Sequence, residues 1–499
     1  MKILHNVIGG KFEPTSVHGD ERFKVQNPAT GENVFEFAST PVAEIDRAVS
    51  LASHAFASWS KTTYKSRAQI LFNFRSLCLN KYKEELINRI VLENGKHRTD
   101  ATASLLKGLE TVEYALSPNL GSGNIQEVSN GIVCQDRRDP VGVIVSICPF
   151  NFPAMVPMWT VPIMIACGNC AIIKPSEKVP FTITRMVEIM MEAGLPEGVV
   201  SVIHGGKSVV QRLITHPAVA GVTFVGSTPV AQLVYTTAVS QGKRAICLGG
   251  AKNHLVVMPD ADMDQSATDI LNSFAGSAGQ RCMAASVLVL CGDGSESVLS
   301  LVVDKASKIK PGQTGPGEIG PVIDQTALNR ICKYIDESES KCGGRILVDG
   351  RAWARQSNRA GYWVGPTVIE HTSLNDPALK DEIFGPVISV IRLSSLDEAI
   401  ERINASPFGN AACIYTSSGA WADKFAKSVN VGMIGVNIGV PVPREPFSFG
   451  GTKKSKFGIG DITGDGLVEF CTVRRKVTTK WISSSKQVGG DFVSRNFTG

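Results

Sequence analysis

One cysteine near the middle of the chain has the surroundings of a nucleophile. Cys282 directly follows Arg281, within the stretch Gly279-Gln-Arg-Cys-Met-Ala-Ala-Ser286. A neighbouring guanidinium lowers the pKa of a thiol and increases the fraction of thiolate, which is the nucleophilic form. The chain has 12 cysteines, so these surroundings make Cys282 a candidate without singling it out.

A rigid loop offers a hydrogen-bond donor for a nucleophilic reaction. Asn151 lies in Pro149-Phe-Asn-Phe-Pro153, where a proline on each side restricts the backbone. A fixed amide N–H can stabilise the negative oxygen that forms when a nucleophile attacks a carbonyl, and such a donor contributes about 3 kcal/mol in known enzymes. The alternative is an Asx-turn, in which the side chain bonds to its own loop.

Two strand ends could bind a dinucleotide, although the first half of the chain has no Gly-x-Gly-x-x-Gly sequence. One apolar run ends at Gly226 and Ser227, where a helix begins, and free N–H groups at a helix start favour a pyrophosphate. Lys174 and Glu177 close another apolar run, at the edge where ligands bind in open α/β sheets. Each feature has a simpler interpretation: a helix N-cap for Ser227 and a surface ion pair for Lys174 with Glu177.

Strands and helices that alternate along the chain would position these candidate residues. Apolar residues in 42–116 recur every three to four positions, which is typical of helices. From residue 141 onwards apolar strands alternate with helical segments, which predicts parallel βαβ units and an open doubly wound sheet. The predicted segments are strands at 141–147, 171–174, 199–203, 221–225 and 244–247, and helices at 155–167, 181–193, 207–214 and 228–240.

The second half of the chain repeats this alternation between residues 259 and 470. We expect helices at 264–278, 325–341 and 396–404, and strands at 287–290, near 346, at 387–393 and at 411–415. Two α/β domains with a cleft between them follow from the pattern. Extended segments at 125–138 and 470–481 predict a protruding ribbon that joins subunits.

Composition excludes several classes of protein. The net charge is only +5 and no basic block occurs, so we expect no nucleic-acid partner. No apolar run reaches about 18 residues, which argues against a membrane span. Scattered cysteines and an N-terminus without a targeting pattern favour a reduced, cytoplasmic protein, and we expect no metal centre. Cys167 and Cys170 have the spacing of a redox pair, but their position between an apolar helix and a strand favours a packing role.

Six short motifs, in one order, resemble the NAD(P)-dependent aldehyde dehydrogenase superfamily. They are PFNFP at 149–153, KPSE at 174–177, FVGST at 224–228, GQRC at 279–282, EIFGP at 382–386 and FGG at 449–451. The resemblance extends from about residue 6 to residue 481. It implies an α/β fold with a Rossmann-like NAD domain (residues 1–124 and 139–250), an α/β catalytic domain (251–440) and a small β ribbon for oligomerisation (125–138 and 470–485).

The same resemblance implies roles for individual residues. Cys282 is the expected nucleophile, and Asn151 and the backbone N–H of Cys282 are the expected donors to the oxyanion. Lys174 and Glu177 would contact the adenosine ribose, and the carboxylate of Glu177 would repel a 2′-phosphate, which favours NAD over NADP. The other expected cofactor-binding positions are Cys148, Phe150, Lys178, Ser227 at the pyrophosphate, Gly249, Glu382 at the nicotinamide ribose, and Phe384.

The chain departs from the family pattern at one position of chemical importance. Hydrolytic members carry Glu-Leu-Gly-Gly-Lys, whose Glu is the general base for the water that releases the product. Here the stretch is Ile246-Cys-Leu-Gly-Gly-Ala-Lys252, which places Leu248 at the base position, or Cys247 after a slip of one residue. General-base catalysis contributes roughly 10²–10⁴-fold, so we expect a better nucleophile than water, such as the thiol of coenzyme A.

Further motifs resemble methylmalonate-semialdehyde dehydrogenases, a coenzyme A-acylating group of the superfamily. The motifs are Pro149-Phe-Asn-Phe-Pro-Ala-Met155, Gly250-Ala-Lys-Asn-His254 and Met258-Pro-Asp-Ala261. This resemblance implies NAD-dependent oxidation of malonate or methylmalonate semialdehyde, with loss of CO₂ and formation of acetyl-CoA or propionyl-CoA. The expected partners are therefore a small semialdehyde and coenzyme A, in a homo-oligomer that is either a dimer or a tetramer.

The resemblance also implies two contacts to the substrate carboxylate, Arg281 and Lys107. The group has an arginine where this chain has Lys107, and a lysine cannot form the bidentate fork of a guanidinium. Arg444 either compensates or lies on the surface. Two other functions stay open at this point: an acid-forming aldehyde dehydrogenase that uses another base, and a non-catalytic binding or structural protein.

Overall fold

Two large sheets and two three-stranded sheets hold most strands of the computed structural model, which describes residues 2–14, 21–117, 123–356 and 359–481. Within these ranges, every helix is too short or too polar to span a bilayer. The parts of the predicted domain ranges at residues 1, 15–20, 118–122, 357–358 and 482–485 lie outside the described residues.

The first half of the chain forms most of the first large sheet, strands of the two three-stranded sheets, and the accompanying helices. The strands are β1 (Lys2–Ile3), β2 (His5–Ile8), β3 (Lys11–Pro14), β4 (Arg22–Gln26), β5 (Asn33–Ala38), β6 (Ile125–Ser129), β7 (Ile132–Pro140), β8 (Val143–Ile147), β9 (Cys170–Lys174), β10 (Val200–Val202), β11 (Val219–Val225) and β12 (Arg244–Leu248). The helices are α1 (Val42–Trp59), α2 (Tyr64–Asn80), α3 (Lys83–Asn94), α4 (Arg98–Ala115), α5 (Met155–Ala166), α6 (Phe181–Glu192), α7 (Lys207–Thr215) and α8 (Thr228–Ser240).

The second half builds the other large sheet and two short two-stranded sheets. Its strands are β13 (Asn253–Val257), β14 (Ala285–Cys291), β15 (Lys310–Pro311), β16 (Glu318–Ile319), β17 (Arg345–Val348), β18 (Thr367–Glu370), β19 (Val387–Leu393), β20 (Phe408–Gly409), β21 (Ala411–Tyr415) and β22 (Met433–Val436). Its helices are α9 (Met263–Ala275), α10 (Glu296–Ser307), α11 (Gln325–Lys341), α12 (Arg351–Ala354), α13 (Leu396–Ala405) and α14 (Gly419–Ser428). The C-terminal elements are β23 (Thr452–Lys453), β24 (Lys456–Phe457), α15 (Gly464–Cys471) and β25 (Thr472–Lys480).

The first large sheet has the order β24-β12-β11-β8-β9-β10-β2-β3 and is parallel from β12 to β10. The chain leaves β8 towards β9 and β10, then returns to β11 on the other side of β8. This reversal is a topological switch point, where open α/β sheets bind ligands beyond the carboxyl ends of their strands. The segments after β8, β9 and β11 carry Asn151, Lys174 with Glu177, and Ser227, respectively.

The second large sheet has the order β17-β18-β19-β14-β13-β21-β22 and is parallel except for β17. Its central strands are buried along their whole length, as expected for a parallel sheet covered on both faces. The loop that enters β14 carries Cys282. The predicted α/β class, with two parallel sheets, is confirmed.

Most predicted elements are present within one or two residues of their expected ends, and those at 325–341, 387–393 and 411–415 match fully. The helix expected at 264–278 instead ends at Ala275, where a 3-10 turn begins. No element was expected at β13, although its continuous apolar run is of the kind that also marks the buried strands β8 and β9. The domain boundaries themselves remain a prediction.

The three-stranded sheet β25-β7-β6 corresponds to the predicted ribbon. β25 pairs with β7 along its full length, from Thr472 with Pro140 to Lys480 with Ile132. β6 is exposed throughout, including Ile125 and Val128. An antiparallel ribbon with apolar side chains on an exposed strand is suited to pairing with another chain.

Asn169 ties the base of this ribbon to the first large sheet. Its Oδ1 accepts from the N–H groups of Val141 and Gly142 at 2.8 and 3.0 Å. Its Nδ2 donates to the carbonyl oxygens of Met164 and Cys471 at 3.2 and 2.9 Å. Asn169 is fully buried, so it satisfies several backbone groups that water does not reach. The neighbouring Cys167 and Cys170 are free thiols and are buried, in agreement with a packing role.

We predict that Asn169→Ala lowers the free energy of unfolding by about 2–4 kcal/mol, because it leaves buried backbone groups without partners. The measurement is the urea midpoint of the purified protein. Asn80→Ala is the matched control, because Asn80 lies exposed on α2 and its loss should shift the midpoint little. Equal midpoints for the two variants would contradict this account of Asn169.

Candidate active site

The loop between α9 and β14 holds Cys282 in an uncommon backbone conformation. A 3-10 turn covers Gly276–Gly279, and in it Ser277 and Ala278 have φ of 51° and 54°. Left-handed backbone costs roughly 1–2 kcal/mol for a residue with a side chain, so the surroundings must hold it. At Gly279 a Cβ would lie 2.0 Å from the carbonyl oxygen of Gly385, which requires glycine there.

Three amide side chains fix the end of this loop. Nδ2 of Asn253 and Nδ2 of Asn410 each donate to the Cys282 carbonyl oxygen at 2.8 Å. Oε1 of Gln280, which is buried, accepts from the N–H of Ile323 at 3.0 Å. The backbone of the nucleophile is thus positioned by bonds that need no substrate. Sequence reasoning missed Asn253 and Asn410, because a lone asparagine carries no pattern that reveals a distant carbonyl partner.

Asn151 reaches the same loop from the first sheet. It lies in the turn between β8 and α5, is 6% exposed, and donates from Nδ2 to the Gln280 carbonyl oxygen at 3.0 Å. This bond crosses to the loop that carries Cys282, so the amide nitrogen of Asn151 is held by a partner outside its own loop. The structure therefore brings Asn151 beside Cys282, although its role as oxyanion donor stays a prediction.

The thiol of Cys282 is held in its protonated form. Burial, together with the charge of Glu382, raises its pKa to about 12, although backbone hydrogen bonds oppose the shift. The expectation that Arg281 lowers this pKa is wrong. The Arg281 guanidinium pairs with Asp100 at 2.7 Å and donates to the Asn272 carbonyl oxygen at 3.2 Å, so a carboxylate already balances its charge.

Glu382 shares a small cavity with Cys282 and Lys252. Burial raises the pKa of its carboxyl to about 7, while the Ala251 N–H, which donates to it at 2.9 Å, and the charge of Lys252 oppose the shift. Burial also lowers the pKa of the Lys252 amine to about 8. The carboxylate therefore changes charge near neutral pH, next to the nucleophile.

Phe384 follows Glu382 in a left-handed conformation, with φ of 54°. Its ring meets that of Phe150 edge-on, with centroids 5.8 Å apart and planes at 78°. Lys178 lies 5.3 Å from the Phe150 ring centroid and pairs with Asp324 at 2.5 Å. Strain of this kind persists where neighbours enforce it and is common at ligand sites, so the pair of rings forms a fixed apolar wall near the nucleophile.

The expected cofactor positions line the carboxyl edge of the first sheet. Lys174 pairs with Glu177 at 3.2 Å, and although burial opposes it, the Lys174 charge lowers the pKa of Glu177. The Cys148 N–H donates to the Lys174 carbonyl oxygen at 3.0 Å, which joins two neighbouring strand ends. Ser227 occupies the N-cap position of α8, but its side chain makes no capping bond and is exposed, so its hydroxyl can meet a ligand.

Two residues missed by sequence reasoning extend this surface. Val230 and Leu233 lie one turn apart on α8 and are 43% and 49% exposed. An exposed apolar patch beside an anion-binding helix start suits a planar base such as adenine. The i, i+3 spacing of apolar residues after Ser227 was a usable signal, but the same spacing predicts a buried helix face. Together with the Lys174–Glu177 pair, these residues fit a dinucleotide.

No carboxylate occupies the position of the hydrolytic base. Leu248 ends β12 with a buried side chain, and Cys247 is fully buried. The carbonyl oxygen of Leu248 accepts from the N–H of Gly226 at 3.1 Å, which fixes the strand end against the turn that precedes Ser227. Gly249 follows, where a Cβ would lie 2.7 Å from the Lys454 carbonyl oxygen.

The two expected contacts to a substrate carboxylate already have acidic partners. Besides the Arg281–Asp100 pair, Nζ of Lys107 lies 2.9 Å from Glu110 and 3.4 Å from Glu445. Arg444 is exposed. A substrate carboxylate would therefore compete with protein carboxylates for both cations.

The surroundings of Cys282 on the side of α5 are apolar. The side chain packs against the same hydrophobic cluster as Phe152, Trp159 and Phe449. The rings of Trp159 and Phe449 lie 4.6 Å apart at 32°. A small aldehyde reaching the thiol from this side would meet an environment that excludes water, which strengthens the electrostatic interactions there.

The aldehyde dehydrogenase family model matches residues 15–477. A malonate-semialdehyde dehydrogenase of Geobacillus thermodenitrificans is 43% identical over 489 residues, which cover 96% of this chain and 99% of the relative. One from Halalkalibacterium halodurans is 41% identical, with 96% and 98% covered. The chain belongs to the aldehyde dehydrogenase family, and the predicted aldehyde dehydrogenase-like fold is confirmed.

Solved structures agree with this assignment. The methylmalonate-semialdehyde dehydrogenase of Oceanimonas doudoroffii superposes with a TM-score of 0.93 at 39% identity, covering 97% of this chain and 99% of the other. A Sinorhizobium meliloti protein assigned to the same activity and solved with NAD gives a TM-score of 0.92 at 38% identity, covering 98% and 99%.

We predict that Glu382→Gln speeds alkylation of Cys282 by iodoacetamide in the cofactor-free protein. The ionised carboxylate raises the thiol pKa, and its own pKa is about 7. Its removal should therefore increase the rate about three- to tenfold at pH 8.5 and change it little at pH 6. Peptide mass spectrometry measures labelling at Cys282 alone. Asp381→Asn, at the exposed neighbouring position, is the matched control, and equal rates in wild type and Glu382→Gln at pH 8.5 would refute the coupling.

Proposed function

We propose that this protein is an NAD-dependent, coenzyme A-acylating dehydrogenase of malonate or methylmalonate semialdehyde. The single observation that carries the acylating part is Leu248, a buried leucine at the position where hydrolytic members have a glutamate. The names of the relatives support the substrate class, and the relative solved with NAD supports the cofactor. The products would be acetyl-CoA or propionyl-CoA and CO₂.

In the first stage the thiol of Cys282 loses its proton to water, and the resulting thiolate adds to the aldehyde carbon. The new oxyanion accepts hydrogen bonds from Nδ2 of Asn151 and from the backbone N–H of Cys282. Removing the Asn151 donor would lower the rate by a factor of roughly 10²–10³. NAD, when bound, supplies the acceptor for the hydride that leaves this carbon. The carbonyl then forms again as a thioester on Cys282.

In the second stage the acyl group becomes simpler and is released. A carboxylate on the carbon next to a thioester carbonyl leaves as CO₂, and the electrons pass into the carbonyl oxygen, where the same two donors hold the enolate. A proton from water then adds to the carbon that lost CO₂, and the carbonyl of the thioester forms again. The thiol of coenzyme A then attacks the thioester carbonyl and frees Cys282. Because a thiolate is a stronger nucleophile than neutral water, this release needs no carboxylate at the position of Leu248.

We predict that the enzyme stalls without coenzyme A. In stopped-flow mixing with semialdehyde and NAD, one equivalent of NADH per active site should form quickly. Later turnover should be slower by about 100-fold or more, because water lacks a general base. Adding coenzyme A should restore turnover, and mass spectrometry should identify acyl-CoA. Equal steady-state rates with and without coenzyme A would refute the acylating reaction, and Cys282→Ser serves as the control that removes the burst.

One observation favours the alternative of an acid-forming dehydrogenase. Glu382 lies near Cys282, and its pKa of about 7 is suited to a general base. Free carboxylic acid as the main product in the presence of coenzyme A would establish that alternative. A purely structural or binding role would instead leave NADH formation unchanged in Cys282→Ser.

The pairing of Lys107 yields a prediction about substrate preference. Glu445, whose side chain is 8% exposed, also accepts from Oγ1 of Thr111 at 3.2 Å, so it stays in competition with a substrate carboxylate. Glu445→Gln should lower KM for malonate semialdehyde about two- to fivefold, which corresponds to an ion pair of about 0.5–1 kcal/mol. KM for propanal, which has no carboxylate, is the control. An equal change for both aldehydes would count against competition for Lys107.

We also propose a cytoplasmic homo-oligomer assembled through the β25-β7-β6 sheet. The apolar side chains exposed on β6 and the full pairing of β25 with β7 support this role. A dimer and a tetramer are both compatible with one exposed ribbon for each subunit.

A further inference from the structure

A buried lysine contacts the backbone of the proposed oxyanion donor. Lys96 lies in the turn between α3 and α4 and is 3% exposed. Its Nζ donates to the carbonyl oxygen of Asn151 at 2.7 Å and lies 4.0 Å from the ring centroid of Phe152. An amine at this depth costs free energy unless its bonds compensate, and burial lowers its pKa to about 7. The chain thus retains an energetically costly amine in contact with Asn151, the residue on which the proposed acylation of Cys282 depends.

The residue two positions earlier contacts the same loop. Nδ2 of Asn94, which is buried, donates to the carbonyl oxygen of Phe150 at 2.8 Å. Between Asn94 and Lys96, Gly95 has φ of +83°, and a Cβ there would lie 2.8 Å from Pro28 and 2.9 Å from Pro321. The turn is therefore confined by neighbours, and its two side chains hold consecutive carbonyl groups of the oxyanion loop.

The first turn of α4 holds the other loop of the site. Asp100 accepts from the N–H of Ser277 at 2.9 Å and from Nη2 of Arg281 at 2.7 Å. Ser277 is one of the two residues with left-handed backbone before Cys282, so this bond supports the strained part of the nucleophile loop. Residues 94–100, here called the 94–100 segment, thus bind both loops at once.

We infer that the 94–100 segment sets the distance between the oxyanion donor and the nucleophile, with Lys96 as the positioning residue for Asn151. An oxyanion hole works only when its donors lie about 2.7–3.1 Å from the position that the developing oxyanion will take. Lys96 fixes the Asn151 main chain at one point, and Asp100 fixes the Cys282 loop at another. Because both belong to one short segment, the two points cannot shift independently.

This inference rests on the proposed role of Asn151 as oxyanion donor. A double-mutant cycle distinguishes failure of the positioning role of Lys96 from failure of that proposed role. The variants are Lys96→Met, Asn151→Ala and their combination, and the readout is the rate constant of the first NADH burst. Lys96→Met should slow the burst about tenfold or more in the wild-type background. In the Asn151→Ala background it should change the burst less than about twofold, because residues that act through one another are not additive.

Two further measurements distinguish a general loss of structure from a loss of the position of Asn151. KM for NAD and alkylation of Cys282 should change little in Lys96→Met, whereas a disturbed fold would alter both. Lys333→Met, at an exposed position on α11, is the matched control and should behave as wild type. If Lys96→Met does not fold, Lys96→Gln, which keeps a polar group but not the reach of the amine, is tested in the same cycle.

Each outcome has one meaning. An equal loss from the lysine substitution with and without Asn151 overturns the positioning role, and so does an unchanged burst in a folded Lys96 variant. If Asn151→Ala itself leaves the burst unchanged, the oxyanion role in the proposed function fails as well. Strong coupling between the two sites, with Cys282 still reactive, supports the inference.

Discussion

The hydrogen bond from Asn151 to the carbonyl oxygen of Gln280 is the contact on which the site depends. It joins the turn after β8 in one sheet to the loop before β14 in the other, and both residues are buried. A buried bond of this kind is strong because little water competes for its partners, and it is costly to leave unmade. It therefore joins the expected oxyanion donor directly to the loop of the expected nucleophile.

Around this contact several charged groups have a partner of opposite charge. Arg281 and Asp100 neutralise each other, Lys174 pairs with Glu177, and Lys107 is shared by two carboxylates. The thiol of Cys282 and the carboxyl of Glu382 instead respond to burial through raised pKa values. The site therefore carries little unbalanced charge. Charge added by a substrate or a cofactor has a strong effect there because the local dielectric is low.

The absence of a carboxylate at the position of Leu248 links the charge balance of the site to the way in which the acyl group is released. A buried leucine at the strand end excludes water and offers it no proton acceptor. Release of the acyl group therefore depends on the strength of the attacking nucleophile. The apolar surroundings of Phe152, Trp159 and Phe449 act in the same direction. Under the proposed function, a thioester in such a place would persist until a thiol arrives, which would make the enzyme acylating rather than hydrolytic.

The sequence by itself determined the class of fold, the order of most elements, the family, and the identity of Cys282, Asn151 and Leu248 as the informative positions. Those inferences rest on local periodicity and on short motifs, which a chain carries in its linear order. Only the tertiary structure decided the partners of Arg281 and Lys107, and it showed that burial and Glu382, not Arg281, set the pKa of the thiol. It also added Lys96, Asp100, Asn253 and Asn410, each of which acts on a backbone group far away in the chain. Hydrogen bonds and burial depend on distance in space, and no spacing of residue types along the sequence encodes that distance.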